Sequence, residues 1–212
     1  MEKIFVCGAG GHAKVIVDII RTLNLYEIEA VIETKSGKPF LGIDLIEEDI
    51  FLNNFDKANV FIAIGENYSR QKVYEKYARK GFLFPNLIHP TAVVSKSANL
   101  GIGNAVMANA VINPGASIGN HCVINTGSII EHDCQIDDFV SCAPASVTCG
   151  ECTLGEGVYL GANASIIHSK IVGEWSVIGS QSAVVKDVDA YTLVQGVPAK
   201  EVRSLTVGEK VL

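Results

Sequence analysis

The tripeptide Glu131-His132-Asp133 sets an imidazole between two carboxylates. A neighbouring carboxylate orients the ring and raises its basicity, as a general base working near neutral pH requires. The plainer reading is a surface histidine at a turn. His121 and His168 compete for the same role, and His168 stands 36 residues beyond His132. His89 precedes Pro90 where two regions of the chain meet. A second chemical signal is Gly8-Ala9-Gly10-Gly11-His12-Ala13, a glycine turn after the apolar run Lys3 to Cys7 and before a helical pattern from Ala13 to Leu25. Such a turn presents backbone N–H groups and the positive end of a helix dipole to a phosphate. Glu33, closing a second strand-like run from Ile28, can reach a ribose or sugar hydroxyl. The alternative is that the glycines only allow close strand–helix packing. His12, inside the turn, is better placed to bind a ligand than to catalyse.

What must position His132 is a six-residue repeat. Hexads beginning at Ile88 run without insertion to Asp189, and 15 of 17 first positions are Ile, Leu or Val. At the fifth position, 15 of 17 are Ala, Ser, Cys or Val. A period of six suits neither a helix nor an ordinary strand. It suits a parallel β-helix wound as a three-sided prism, one hexad per side. Three hexads make a coil, with coils stacked at about 4.8 Å. The aliphatic residue points inward, the small one lets the chain turn a corner, and glycines are expected to relieve corners where φ is positive. In this frame Ile130 and Cys134 point inward and His132 faces out from a corner. His168 falls two coils up the same column. Lys170 and Thr148 are the irregular members and suggest local loosening.

Before the repeat, runs at Lys3–Cys7, Ile28–Ile32, Asn59–Ile64 and Phe82–Leu87 alternate with helical patterns at Ala13–Leu25 and Asn67–Lys80. This predicts a small Rossmann-like domain over residues 1–87 and a β-helix domain with a tail over 88–212. Eighty-odd residues supply one mononucleotide-sized half, so a nucleotide-linked sugar fits better than NAD.

A net charge of -6 without a basic stripe argues against nucleic acid. No run reaches the 18 apolar residues of a membrane helix, and no signal peptide is evident, so a cytoplasmic protein is expected. Cys122, Cys134, Cys142 and Cys152 occupy inward positions, where free cysteine behaves as a small hydrophobe. Cys149-Gly-Glu-Cys152 is a lone C-x-x-C, and no His/Cys/Asp set has metal-ligand spacing. Leu205 to Leu212 carry no readable signal.

The whole chain resembles the left-handed β-helix acetyltransferases of the hexapeptide superfamily. More narrowly, it is similar to the nucleotide-sugar N-acetyltransferases of bacillosamine and perosamine synthesis and to sialic acid O-acetyltransferases. The resemblance rests on Gly8-Ala9-Gly10-Gly11-His12, Ile62-Ala63-Ile64-Gly65, Asn86-Leu87-Ile88-His89-Pro90, Asn125-Thr126-Gly127, Ile130-Glu131-His132-Asp133-Cys134 and Gly196-Val197-Pro198-Ala199-Lys200. It implies an acetyl-CoA donor, a homotrimer with active sites between neighbouring prisms, and a role in glycan or polysaccharide biosynthesis. It further implies His132 as general base with Asp133 raising its basicity. Gly10, Gly11, His12, Glu33 and Gly65 would hold the nucleotide-sugar, and Ala162 and Ser180 would line the coenzyme A track. Members often carry a second histidine where this chain has Ser141, a residue expected to touch the acyl donor or the acceptor. With serine there, His132 is the base of the cluster.

The expected reaction is direct transfer from acetyl-CoA to the amine of a UDP-linked 4-amino sugar of bacillosamine type. A thiol route through Cys134 is disfavoured because that side chain points into the prism. The alternatives are a sugar O-acetyltransferase of sialic acid type, a non-catalytic trimeric scaffold, and a small NAD-binding redox domain on a structural stalk.

Overall fold

In the computed structural model, which describes residues 1–35 and 37–209, the chain builds two layers of quite different regularity. The first begins with strand β1 (Glu2–Cys7), helix α1 (Gly11–Leu23) and strand β2 (Tyr26–Glu33). Strand β3 (Leu45–Glu47), helix α2 (Glu48–Asn54), strand β4 (Asn59–Ile62) and helix α3 (Asn67–Ala78) follow. The strands form a parallel sheet in the order β3-β2-β1-β4. The βαβ pattern expected for this region is present, but β3 and α2 were not anticipated. Leu45-Ile46-Glu47 is too short to show alternation. The apolar residues of α2, Phe51 and Leu52, are buried in a cluster of aromatic rings that includes Phe5, Tyr77 and Phe82. Helix α1 buries Ile16, Val17, Ile19 and Ile20 against the sheet and the prism, and ends at Asn24 in the left-handed conformation.

From Leu87–Ile88 to Ala183–Val184 the chain is a parallel β-helix of two-residue strands. As far as Ser165–Ile166, each strand pairs with the one 18 residues later, as in Val123 with Ser141 and Ile124 with Cys142. Three sheets result. The first side carries Ala105–Val106, Val123–Ile124, Ser141–Cys142 and Tyr159–Leu160, and the second carries Val111–Ile112, Ile129–Ile130 and Val147–Thr148. The third carries Ser117–Ile118, Gln135–Ile136 and Thr153–Leu154. Inside runs one aliphatic column that includes Ile112, Ile130, Cys134, Cys142, Cys152 and Leu160. All six cysteines are free. Thr148 remains inward, fully buried, with its hydroxyl unpartnered. Lys170 stays at its corner and reaches the Ser169 carbonyl.

Two details differ from the sequence expectation. Gly103, Gly115, Gly127 and Gly157 do relieve left-handed corners as expected, but other residue types take that position too: Asn109, His121, Asp133, Phe139, Glu151 and Trp175 all have φ between 53° and 60°. Many glycines instead mark places where the next coil passes too close for a side chain. A β-carbon at Gly161 would lie 2.6 Å from the Ile178 carbonyl oxygen. The repeat also closes short, since Val172 bridges Val188 and Val177 pairs with Leu193, each 16 residues apart rather than 18. The last turn then gives way to an antiparallel hairpin, Thr192–Gly196 with Ala199–Ser204.

The α/β domain docks on the first side of the prism. Leu87, Ala105, Met107 and Val123 share one buried cluster with Ile16, Ile20 and Val31.

Candidate active site

His132 and Asp133 form the corner between the second and third sides, so they stand away from the side that carries the α/β domain. The His132 Nδ1 lies 2.9 Å from Asp133 Oδ2, and the imidazole is more than half exposed. With Nδ1–H donating to the carboxylate, Nε2 keeps its lone pair for a substrate proton. The hydrogen bond to Asp133 raises the imidazole pKa; partial desolvation opposes this, and the charges of Asp133, Glu131 and Glu151 reinforce it. His168 occupies the same column two coils on, also exposed. His121 is ruled out as a base by burial. It is 1% exposed among Tyr74, Phe84 and Phe139, and desolvation, aided by Arg70, pulls its pKa down to about 3.

The glycine turn borders a cavity of about 550 Å³ lined by Gly10, Gly11, His12, Glu33 and Gly65 among others. Gly10 caps α1 without a side-chain hydrogen bond, so the helix N–H groups remain available to an anion. Glu33 has a structural task as well as a cavity position: its Oε1 accepts from the Ala9 N–H at 2.6 Å, holding the turn closed. His12 and Gly65 also line a second cavity of about 310 Å³ at the domain junction. His12 Nε2 is buried there without a partner, and burial, with the Arg70 charge, lowers its pKa to about 4. The ring is therefore neutral at physiological pH.

The junction cavity contains Ser141 and Asn125, the latter from one of the motifs that carry the resemblance, together with residues that the sequence did not point to: Asn67, Tyr68, Trp175 and the tail residues Leu205, Thr206, Gly208 and Glu209. The tail reads as featureless because its role is to pack on rings 30 or more residues away. Tyr68 meets Trp175 edge-on at 5.7 Å, and Gly208 lies against Tyr68. Residues 210–212 of the tail fall outside the described residues. Ser141 is buried, donates to Asn67 Oδ1 at 2.6 Å and accepts from Arg70. It thus sits with His12 and Gly65, not with Ala162 and Ser180. Those two stack at the corner between the first and second sides, where the Gln181 N–H donates to the Ala162 carbonyl. Ser180 opens on a groove of about 720 Å³ with Gly179, Gln195 and Lys200. Its wall carries one charge of each sign, Lys200 and Glu201.

Within one chain, then, the junction cavity and the Ser180 groove open on the first side of the prism, the glycine-turn cavity is lined by the α/β domain alone, and His132 lines none of these three. Among the described residues no cluster of His, Cys, Asp and Glu could hold a metal ion, and no helix is long and apolar enough to cross a membrane.

Residues 3–77 match the PglD N-terminal domain family. The perosamine N-acetyltransferase of Caulobacter crescentus, solved with CoA and GDP-perosamine as a point variant, is 34% identical with a TM-score of 0.90, covering 95% of this chain and 97% of that one. The acetyltransferase domain of PglB from Neisseria gonorrhoeae FA1090, solved with acetyl coenzyme A, is 33% identical with a TM-score of 0.91, covering 95% and 99%. The UDP-N-acetylbacillosamine N-acetyltransferase of Bacillus subtilis (strain 168) is 35% identical over 122 residues, 51% of this chain and 52% of that protein. An α/β domain on a parallel β-helix, matched over 95% of the chain by the two solved acetyltransferases, defines a hexapeptide-repeat acetyltransferase. The chain belongs to the PglD-like family, acetyltransferases that act on nucleotide-linked amino sugars.

Proposed function

We propose that this protein transfers the acetyl group of acetyl-CoA to the amine of a UDP-linked 4-amino sugar of bacillosamine type, as a homotrimer whose active sites lie between neighbouring prisms. The observation that carries this reading is the separation of His132 from its own chain's ligand cavities. The junction cavity opens on the first side, the glycine turn belongs to the α/β domain docked there, and His132 lies at the one corner that does not border that side. A sugar bound by one chain lies beside its own His12 but meets a His132 imidazole only if a second copy brings it. Cyclic packing of three prisms does so and protects their flat sides.

The nucleotide's phosphates lie against the uncapped start of α1, and Glu33 faces its ribose. The sugar extends past His12 into the junction cavity. The coenzyme follows the groove at Ser180 and Lys200 and presents its thioester. The amine nitrogen attacks the thioester carbonyl, His132 Nε2 takes the proton the amine loses, and as the C–S bond breaks it returns that proton to sulfur, so that coenzyme A leaves as a thiol. Asp133 stabilises the imidazolium formed in that step, and corner N–H groups stabilise the developing oxyanion.

The test mixes two inactive variants. His132→Ala lacks the base, and Gly11→Trp blocks the turn. Dissociated and reassembled together, they regain acetyl transfer to a UDP-4-amino sugar, because some interfaces pair an intact imidazole with an intact pocket. Absence of regain, with each variant still assembling, removes the shared site. Turnover of GDP-perosamine but of no UDP-sugar removes the uridine assignment. A monomer in sedimentation removes the trimer.

A further inference from the structure

Arg70 lies on α3 and is 2% exposed, at the seam between the two domains. Each of its side-chain hydrogen bonds goes to a neutral oxygen, and the Glu66 carboxylate at the start of the same helix acts on it only through space. On the α/β side, Nη1 donates to the Ile64 and Gly65 carbonyls at 2.9 and 3.0 Å, and Nη2 donates to Asn67 Oδ1 at 2.9 Å. On the prism side, Nε donates to the His121 carbonyl at 2.8 Å, and Nη2 to the Phe139 carbonyl at 3.0 Å and Ser141 Oγ at 3.2 Å. Asn67 extends the grip, its Nδ2 donating to the Gly157 and Val158 carbonyls at 3.0 and 3.2 Å. His121, Phe139 and Gly157 are the same corner residue of three successive coils, 18 apart. One guanidinium and one amide thus hold three rungs of the prism and the Ile64–Gly65 loop at once.

A buried charge with no carboxylate in direct contact is an expensive way to join two surfaces, since apolar packing joins them at less cost. What the planar guanidinium adds is direction: five N–H groups in a rigid plane fix both partners' angles. The groups it fixes are functional walls. Gly65 borders both ligand cavities, and Asn67 and Ser141 border the junction cavity.

We infer that Arg70 is a positioning residue for acetyl transfer. By holding Gly65 and the Asn67–Ser141 pair against three prism corners, it sets the angle at which the α/β domain delivers the sugar amine to a neighbouring chain's imidazole. The inference rests on the function proposed above. It separates two things that a simple binding role would join. Nucleoside diphosphate binding rests on the glycine turn and Glu33, neither of which Arg70 touches with its side chain, and changes little without the guanidinium. Turnover needs the domain angle and depends on it.

The experiment compares wild type with Arg70→Lys and Ser141→Ala. Lysine keeps the charge but has three donors in place of the fork. Three quantities are read: kcat with both substrates saturating, the Kd for UDP alone, and hydrogen exchange of the intact protein. The expected result for Arg70→Lys is a kcat at least tenfold lower, a UDP Kd and acetyl-CoA KM within threefold of wild type, and faster exchange at 64–67 and around 121, 139 and 157. Ser141→Ala, which removes one prism-side acceptor, gives a smaller loss of kcat in the same pattern and serves if the lysine variant does not fold. A kcat within threefold of wild type in the folded variants overturns the inference. So does a UDP affinity that falls as far as kcat, because Arg70 would then act on the ligand. If wild type acetylates no nucleotide amino sugar, the functional reading fails instead, and exchange alone decides the clamp: unchanged exchange overturns it, and faster exchange on both sides of the seam upholds it.

Discussion

His132 lies over the α-carbon of Gly150, one coil further along the prism, and a β-carbon on Gly150 would stand 2.5 Å from the imidazole Nε2. Gly115, one coil back from Asp133, makes the matching space for the carboxylate. The base and its partner are thus seated between two positions that carry no side chain.

Gly150→Ala is expected to displace the ring while leaving the fold intact. Gly150 does not occupy the left-handed region, so alanine brings no backbone strain. The expected outcome is a kcat reduced about tenfold or more, since general-base catalysis contributes about 10²–10⁴ and depends on geometry. Steady-state kinetics with thermal unfolding as the folding control checks this. A kcat at wild-type level would mean that the seat is not needed.

His132→Ala is expected to lower kcat by about 10²-fold or more at saturating substrates. Asp133→Asn keeps the shape but removes the charge that raises the imidazole pKa. A base works only when unprotonated, so wild-type activity falls as pH drops through that raised pKa. In Asp133→Asn the acid limb of the pH–rate profile moves to lower pH, and the plateau drops because the base is weaker. An unmoved acid limb would assign it to another group.

His121 gives the protein an acid weakness. Both ring nitrogens are buried without partners, and the folded pKa of about 3 lies well below the unfolded value of about 6.5. Between those values the unfolded chain binds the extra proton, so stability is complete above about pH 6.5 and declines as pH falls toward 3. His12, with its pKa lowered to about 4, adds in the same direction. Phe139 fills the equivalent left-handed corner one coil on and stacks on His121 at 5.8 Å, so phenylalanine suits the site. His121→Phe should be more stable than wild type by about 2 kcal/mol at pH 5, with little of that gain at pH 8. Chemical denaturation at the two pH values tests it, and an equal difference at both would separate the effect from titration.

Glu33→Ala removes the acceptor that holds the Ala9 N–H. Hydrogen bonds to a charged group contribute about 1.5–3 kcal/mol. The expected result is a KM for the nucleotide-sugar raised about tenfold or more, with the KM for acetyl-CoA unchanged. A rise in both would place Glu33 outside the nucleotide site.

The prism was legible because its signal is repeated. Each inward Ile130 or Cys134 must lie over its counterpart 18 residues away, so every coil restates the same steric rule in residue types. The glycine turn and the His132–Asp133 pair were legible because neighbours in sequence make them. Strand β3 and helix α2 were not, because single short elements carry no period. Nor was the task of Arg70, which reads as one more charge on a helix from Asn67 to Lys80.

Sequence alone therefore determined the winding, the inward column and the outward imidazole, all consequences of local spacing. Only the tertiary structure decided which side of the prism receives the α/β domain. That choice buries Arg70 and Ser141, closes the tail over the junction cavity, and leaves His132 on the far corner. It depends on how Leu87, Ala105, Met107 and Val123 fit the apolar face of α1, a match between surfaces distant in sequence.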